Sequence, residues 1–334
     1  MNQRRQSNSL KSLLSLVVIG LLAVAIYWQR WNIYDWAKLY NYQPPAPIAQ
    51  LADQTTMTSY GRHLFYVYHP ELQDSASFNR NCHVTKAAIV LGCTVNLRGI
   101  YLYKVNDTQL NGIEQVTAAY EMLHVGYSRL SASERQHIDQ LVLQEFNSIK
   151  VSQPQLATEA QSYLDTEGQA ALPNELHSMM GTEVDHLPPE LEQYYARYFS
   201  NRQAIIQYKN QYQGVFTSRQ ATVTSDDQQL TATQKIISSN ESNLSNQAQA
   251  ITTQRAQLEQ WRSSNQVDTY NNTVPAFNQS INSYNQLADQ TQQLINDYNQ
   301  LLGQRNALAL EINQLTQKIS SQPITNLKTN LAPQ

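Results

Sequence analysis

Hydrophobic residues follow three different patterns along the chain. Residues 12–28, SLLSLVVIGLLAVAIYW, are apolar apart from two serines, as is typical of a membrane-crossing helix. Between residues 48 and 200, short apolar runs alternate with apolar residues spaced three or four apart, which predicts a small sheet among several helices. After residue 216, apolar residues recur every seven positions, which predicts long helices.

The N-terminal segment has the charge distribution of a membrane anchor. Residues 1–11 contain three basic residues and no acidic one, so the positive-inside rule places them in the cytoplasm and the bulk of the chain outside it. Aromatic residues that follow residue 26 suit the membrane interface. A cleaved signal peptide is the alternative, because Ala23-Val24-Ala25 resembles a cleavage site. The length of the apolar run and its aromatic exit favour an uncleaved anchor at 12–28.

The middle of the chain predicts an α+β domain that is mostly helical. The segments with strand-like composition are GRHLFYVYHPEL (61–72), AAIVLGC (87–93) and RGIYLYKV (98–105). Helices are predicted at 48–58, 112–130, 131–146, 154–164, from Pro173 onward, and 187–199. A linker at 29–47 separates this domain from the anchor, and the stretch YQPPAPI (42–48) makes its end stiff.

Two heptad arrays predict an antiparallel coiled-coil hairpin at 201–321. The first array has apolar residues seven apart, namely Phe216, Val223, Leu230, Ile237, Leu244, Ile251 and Leu258. The second runs from Tyr284 to Ile319 in alternating steps of three and four, with Thr291 and Arg305 as its polar members. The segment NNTVP (271–275) is the predicted turn between them, and residues 322–334 are a predicted disordered tail.

Composition indicates which partners the protein binds and which cellular compartment it occupies. The net charge of −3 gives no support for nucleic-acid binding. The chain has two cysteines, Cys82 and Cys93, which suit a disulfide in an exported protein, with two reduced buried thiols as the alternative. A bridge between them would stabilise the fold by about 3 kcal/mol through loop closure.

The candidate chemistry lies in YEMLH, residues 120–124. Zinc peptidases carry H-E-x-x-H on a helix, where two histidines one turn apart bind zinc and the glutamate activates the bound water. Here Glu121 and His124 occupy the second and last positions, while Tyr120 stands at the first. A chance occurrence of E-x-x-H on a helix, with His124 as a partly buried core residue, is the bland alternative.

A second segment makes the pattern more specific. PNELHSMMGTEV contains N-E-x-x-S with Glu175, and together with YEMLH it resembles the gluzincin branch of zinc metallopeptidases, in particular membrane-anchored bacterial zincin-like proteins. The resemblance implies a zincin-like domain at 48–200. It also implies that Glu121 is the general base and that His124 and Glu175 are zinc ligands. The strand IYLYKV would be the edge strand that pairs with an extended peptide.

The departure at Tyr120 weakens this chemistry. A phenol must lose a proton with a pKa near 10 to bind metal well, so Tyr120 is a weak ligand and we expect zinc at low occupancy. Glu183 is a candidate to hydrogen-bond a metal ligand or to bind the metal in place of one. The sequence therefore predicts a degenerate, impaired metallopeptidase-like protein that binds or weakly cleaves extended peptides at the cell envelope. The alternative is a structural envelope protein that self-associates or adheres through its coiled coil.

Overall fold

Helices make up most of this chain. The structure, a computed structural model, describes residues 3–82, 89–95 and 97–322, with side chains from residue 16 onward. About 77% of it is helical, with one three-stranded sheet, in agreement with the predicted mostly helical α+β class. The predicted tail at 322–334 lies outside the described residues from 323 on, as do residues 87–88 of one predicted strand.

The described elements follow one another in this order: α1 (Gln3–Leu39), α2 (Ala46–Gln54), α3 (Ser59–Val67), β1 (Glu71–Gln73), α4 (Ser75–Asn81), β2 (Gly92–Val95), β3 (Gly99–Tyr103), α5 (Ile113–Ser128), α6 (Ala132–Ile149), α7 (Pro154–Glu167), α8 (Leu172–Thr182), α9 (Pro189–Tyr195), α10 (Gln203–Ser263) and α11 (Val267–Lys318). Of these residues, one compact unit holds 3–212 and 318–322, and a second holds 213–317.

Helix α5 forms the centre of the first unit. It packs against α8, α2, α3 and the sheet, and Ala118, Ala119, Met122 and Leu123 on it are fully buried. Burial of side chains of the size of Met and Leu contributes about 1.5–3 kcal/mol each. Gly112 precedes α5 with a φ of 108°, and a Cβ there would lie 2.5 Å from the backbone oxygen of Tyr208. Only glycine suits this position, which fixes where α5 begins.

The sheet has the strand order β1-β3-β2. β1 pairs with β3 in parallel, and β2 pairs with β3 antiparallel, with Cys93 opposite Tyr101 and Thr94 opposite Ile100. The prediction that IYLYKV is an edge strand is therefore wrong, because β3 has a partner on both sides. β2 lies at one side of the sheet and contacts α5.

Segment 61–67 is helical, which contradicts the strand prediction there. Thr58 caps α3 by accepting a hydrogen bond from the Gly61 amide at 3.1 Å. Leu64, Phe65 and Val67 are buried. Their aromatic and β-branched composition favours a strand locally, but burial against the α5 core decides the outcome.

Helix α1 continues well past the apolar segment. Residues 29–39, which fall in the predicted linker, form its last turns, and Asp35 there is only 8% exposed. Arg129 donates a hydrogen bond from Nη2 to Asp35 Oδ1 at 2.7 Å, and its guanidinium carbon lies 3.8 Å from the Trp31 ring centroid. His63 Nε2 lies 2.8 Å from Asp35 Oδ2. The end of α1 is therefore packed on the rest of the first unit.

The second unit is an antiparallel helix pair. Arg305 contacts Asp227 through two hydrogen bonds of 2.8 and 3.1 Å, and Arg219 donates to Glu311 at 2.7 Å. Heptad residues that point inward and are buried are Val223, Leu230, Ile237, Leu258, Thr291, Arg305 and Leu315. The predicted seam is thus buried in part, since its other members are half-buried, and the coiled coil and self-association through it stay predictions.

The turn between these helices lies at 264–266, not at the predicted 271–275. Asn265 adopts a φ of 60°, which ends α10, and asparagine tolerates this left-handed conformation. Pro275 is accommodated inside α11 instead of ending it.

The disulfide prediction is confirmed. Cys82 and Cys93 are bonded, with their Cα atoms 5.8 Å apart, so the end of α4 is tied to β2. This bridge thus ties to α4 the strand that contacts α5.

Candidate functional site

Helices α5 and α8 bring together three of the predicted site residues. Tyr120 and His124 lie one turn apart on α5, and Glu175 lies in the first turn of α8. The Tyr120 hydroxyl donates a hydrogen bond to Glu175 Oε2 at 2.8 Å, and His124 Nε2 lies 3.7 Å from the same oxygen. The carboxylate of Glu175, which is 5% exposed, therefore faces both residues of the α5 motif.

Glu121 points to a different side of α5, beneath β2. Its Oε2 accepts a hydrogen bond from the Thr94 hydroxyl at 2.8 Å, and the side chain is 5% exposed. A Cβ at Gly92 would lie 2.7 Å from Glu121 Oε1 and 2.6 Å from the Thr117 methyl carbon. Glycine at 92 thus allows the β2 backbone to approach the candidate base closely.

The environment of Glu121 makes its charged form unfavourable. Burial raises its pKa to about 7, while His124 and the Thr94 hydrogen bond lower it and the Glu175 and Glu167 carboxylates raise it. A carboxyl that titrates near neutral pH is suited to exchange protons with a bound group.

The other two α5 residues are also perturbed. Burial lowers the pKa of His124, but Glu175 and Glu121 raise it by more, so the net change is upward and favours the imidazolium. Burial, Tyr163 and Glu175 raise the pKa of Tyr120 well above its usual value near 10. Tyr120 is therefore a neutral hydrogen-bond donor at physiological pH.

These donors fit a catalytic zinc only in part. His124 Nε2 and Glu175 Oε2 are 3.7 Å apart, close to the roughly 3.3 Å that separates two ligands of a tetrahedral zinc. The third donor is a protonated phenol that is already bonded to Glu175. Within the described ranges, no cluster of three or more His, Cys, Asp or Glu side chains has the arrangement to hold a metal. We therefore derive no catalytic step through zinc.

Glu183 and His177 lie away from this contact. Glu183 sits at the end of α8, where burial and the neighbouring Glu159 carboxylate raise its pKa well above the ordinary value. His177 is fully buried, its Nε2 lies 2.8 Å from the Tyr194 hydroxyl, and burial lowers its pKa to about 3. Neither side chain is seen to contact Glu175, so a role for Glu183 in supporting or replacing a metal ligand stays a prediction.

Two site residues have no signal in the sequence patterns. Thr94 contacts Glu121 from β2, and the Tyr163 hydroxyl on α7 interacts with Tyr120. Ser178 Oγ, the serine of the second motif, lies 3.5 Å from His124 Nδ1. The motifs thus identify the α5–α8 contact, whereas residues from β2 and α7 come together with it only in the folded chain.

Comparison with known proteins adds no relative. No protein-family model matches the chain, and neither curated proteins nor solved structures give a match. The functional argument therefore rests on the geometry of α5, α8 and β2.

Proposed function

We propose that this chain is a membrane-anchored, metallopeptidase-like protein that binds extended peptide segments outside the cytoplasm and cleaves them poorly or not at all. The observation that carries the proposal is the shared contact of Tyr120 and His124 with the Glu175 carboxylate. Two separate motifs predict that these residues meet, and chance resemblance at YEMLH alone gives no reason for Glu175 to be there.

Glu121 lies under the proposed peptide-binding strand. The backbone of β2 passes close to it at Gly92, so a peptide that pairs with β2 would lie beside the strand that covers Glu121. In this arrangement Tyr120 takes the place of the first zinc ligand, and its hydroxyl satisfies the Glu175 carboxylate with a proton instead of a metal. Because a proton on Tyr120 takes the place of a metal ion at Glu175, we propose that the protein binds peptides and cleaves them little or not at all.

The outer edge of β2 is the proposed peptide-binding edge. The Tyr103 amide donates to the Leu91 carbonyl oxygen at 2.8 Å, and hydrogen-bonded pairs alternate along an antiparallel ladder. Residues 93 and 95 therefore direct their backbone groups to β3, and Gly92 and Thr94 direct theirs outward. In the described part of the chain β2 pairs only with β3. Extended peptides add to such edges through main-chain hydrogen bonds.

The outward amide of Thr94 gives a direct test. Thr94→Pro removes that amide and the hydroxyl, and proline is tolerated at a sheet edge. Thr94→Val removes the hydroxyl but keeps the amide. We expect fluorescein-labelled peptides from digested, unfolded casein to bind the full chain in nanodiscs. Thr94→Val should retain this binding, and Thr94→Pro should lose about tenfold in affinity, the equivalent of one net hydrogen bond. Fluorescence anisotropy measures the binding, and mass spectrometry should recover the peptides uncut.

Two outcomes of this experiment contradict the proposal. If the wild-type chain binds none of the peptides, the peptide-binding function is wrong. If Thr94→Pro binds them as tightly as Thr94→Val, the peptides do not pair with β2. Circular dichroism of both variants establishes that the fold is retained.

A further inference from the structure

The last turns of α1 have two different faces. Trp31, Tyr34, Asp35, Lys38 and Leu39 are partly or fully buried on the first unit, whereas residues 32, 33, 36, 37 and 40 are exposed. The alternation follows the helical repeat, so one side of α1 is occupied by the domain and the opposite side is open.

The open side has the composition of a membrane-interface surface. Its members are Asn32, Ile33, Trp36, Ala37 and Tyr40, none of which is charged. Trp36 is 68% exposed and Tyr40 is 66% exposed, with their rings 5.5 Å apart. Tryptophan and tyrosine are enriched where apolar lipid meets the polar headgroups. Their exposure here is unlike that of Trp31, which contacts Arg129.

The distance along α1 identifies what covers this side. The helix is continuous, and its residues 16–39 are long and apolar enough to cross a membrane. Residues 12–29 carry no charge, and at 1.5 Å per residue they span about 27 Å, close to the hydrocarbon thickness. Lys11 and Arg30 therefore mark the two edges of the hydrocarbon layer.

Trp36 then lies within reach of the headgroups. Its Cα is about 9 Å beyond that of Arg30 along the axis, and the headgroup layer is about 5–8 Å thick. Helical side chains lean toward the N-terminus, here toward the membrane, and membrane helices tilt by about 20° on average. Both effects bring Trp36 into the headgroup layer. The Tyr40 ring, 5.5 Å from that of Trp36, lies beyond it on the aqueous side.

We propose that Ile33 and Trp36 form a lipid-contacting face in the headgroup layer of the membrane that α1 crosses. The contact between Asp35 and Arg129 holds the domain on the other side of the helix, so the domain leaves the open side free to meet lipid. This inference rests on the proposed membrane anchoring. A second copy of the chain is the other occupant that the test must separate.

Spin labels at single introduced cysteines test this face. The chain's own two cysteines form the disulfide, so a new thiol is labelled selectively. The labelled positions are Trp36→Cys and Ala37→Cys on the open side, Val24→Cys in the apolar segment, and Val151→Cys, which is 86% exposed on the domain. The full chain is reconstituted in vesicles of phosphatidylcholine and phosphatidylglycerol, and collisions with oxygen and with an aqueous nickel chelate are measured.

The expected result is a graded exposure to lipid. A label at position 24 should collide mainly with oxygen, and a label at position 151 mainly with the nickel chelate. Labels at positions 36 and 37 should collide with the chelate several-fold less often than the label at position 151. If positions 36 and 37 match 151 while 24 is in lipid, the lipid-contacting face is wrong and the anchor stands. If position 24 is also aqueous, the anchoring fails together with the inference. Dipolar broadening at 36 without oxygen contact means that a second copy covers the face, which also overturns the inference.

Discussion

Glu121→Gln should make the protein more stable at pH 8 and leave its stability nearly unchanged at pH 4.5. Burial raises the pKa of Glu121 to about 7, from an ordinary value of 4.5. Below pH 4.5 the carboxyl is protonated in both folded and unfolded chains, so it makes no difference. Between pH 4.5 and 7 the folded chain keeps the proton that the unfolded chain releases, and stability falls as pH rises.

The size of the effect follows from the shift. The folded and unfolded pKa values of Glu121 differ by about 2.5, which lowers the free energy of unfolding by about 3 kcal/mol above pH 7. Glutamine avoids that loss and still accepts the Thr94 hydrogen bond. Denaturant unfolding at pH 4.5, 6 and 8 measures this difference. Asp165→Asn, at an exposed carboxyl on α7, is the matched control and should leave the profile unchanged. Equal stability of wild type and Glu121→Gln at pH 8 would show that Glu121 is not held in a charge-excluding environment.

Arg129→Ala should lower the free energy of unfolding of the first unit by up to about 3–5 kcal/mol, because it leaves the buried Asp35 carboxylate with the His63 imidazole as its remaining partner. The side chains of Arg129 and Asp35 are only 6% and 11% exposed, so solvent screens the pair little. The substitution also removes the guanidinium from the Trp31 ring. Chemical denaturation in detergent, followed by tryptophan fluorescence, to which Trp31 contributes, measures the change.

Paired variants separate the ion pair from packing. Arg129→Met keeps much of the side-chain volume, and combining it with Asp35→Asn removes both charges, so the double variant should recover most of the lost stability. Arg62→Ala, which breaks a partly exposed pair with Asp53, is the control and should cost no more than about 1 kcal/mol. If Arg129→Ala matches Arg62→Ala, the end of α1 is not held on the domain by Asp35.

Local sequence patterns predict the structure where a single helix or a single repeat determines it. The four-residue separation of Tyr120 and His124 places both on one side of α5, and the heptads place Leu230 and Arg305 inside the helix pair. Glu175 is 51 residues beyond His124, so its meeting with α5 depended on the resemblance of the second motif and not on any local rule.

Other features depend on contacts between distant segments, which no local pattern contains. The aromatic residues of 61–67 suit a strand, and only burial against α5 makes them helical. Asp35 meets Arg129 across 94 residues, and Thr94 meets Glu121 from a neighbouring strand. The order of the three strands is likewise absent from local patterns, so β3 is predicted from the sequence as the edge strand, whereas β2 lies at the edge.

Zinc titration of the Tyr120→His variant tests the central claim most directly, namely that Tyr120 occupies the first-ligand position of a metallopeptidase-type site. Isothermal titration should detect no tight site in the wild type and one equivalent of zinc in Tyr120→His. The gain in affinity should be at least about 100-fold, since a direct ligand contributes at least as much as the residues that orient it. Tyr120→Phe, which removes the hydroxyl without adding a ligand, should not gain zinc, and Glu175→Gln in the Tyr120→His background should abolish the gain. If Tyr120→His binds zinc no better than the wild type, then Tyr120, His124 and Glu175 do not form such a site.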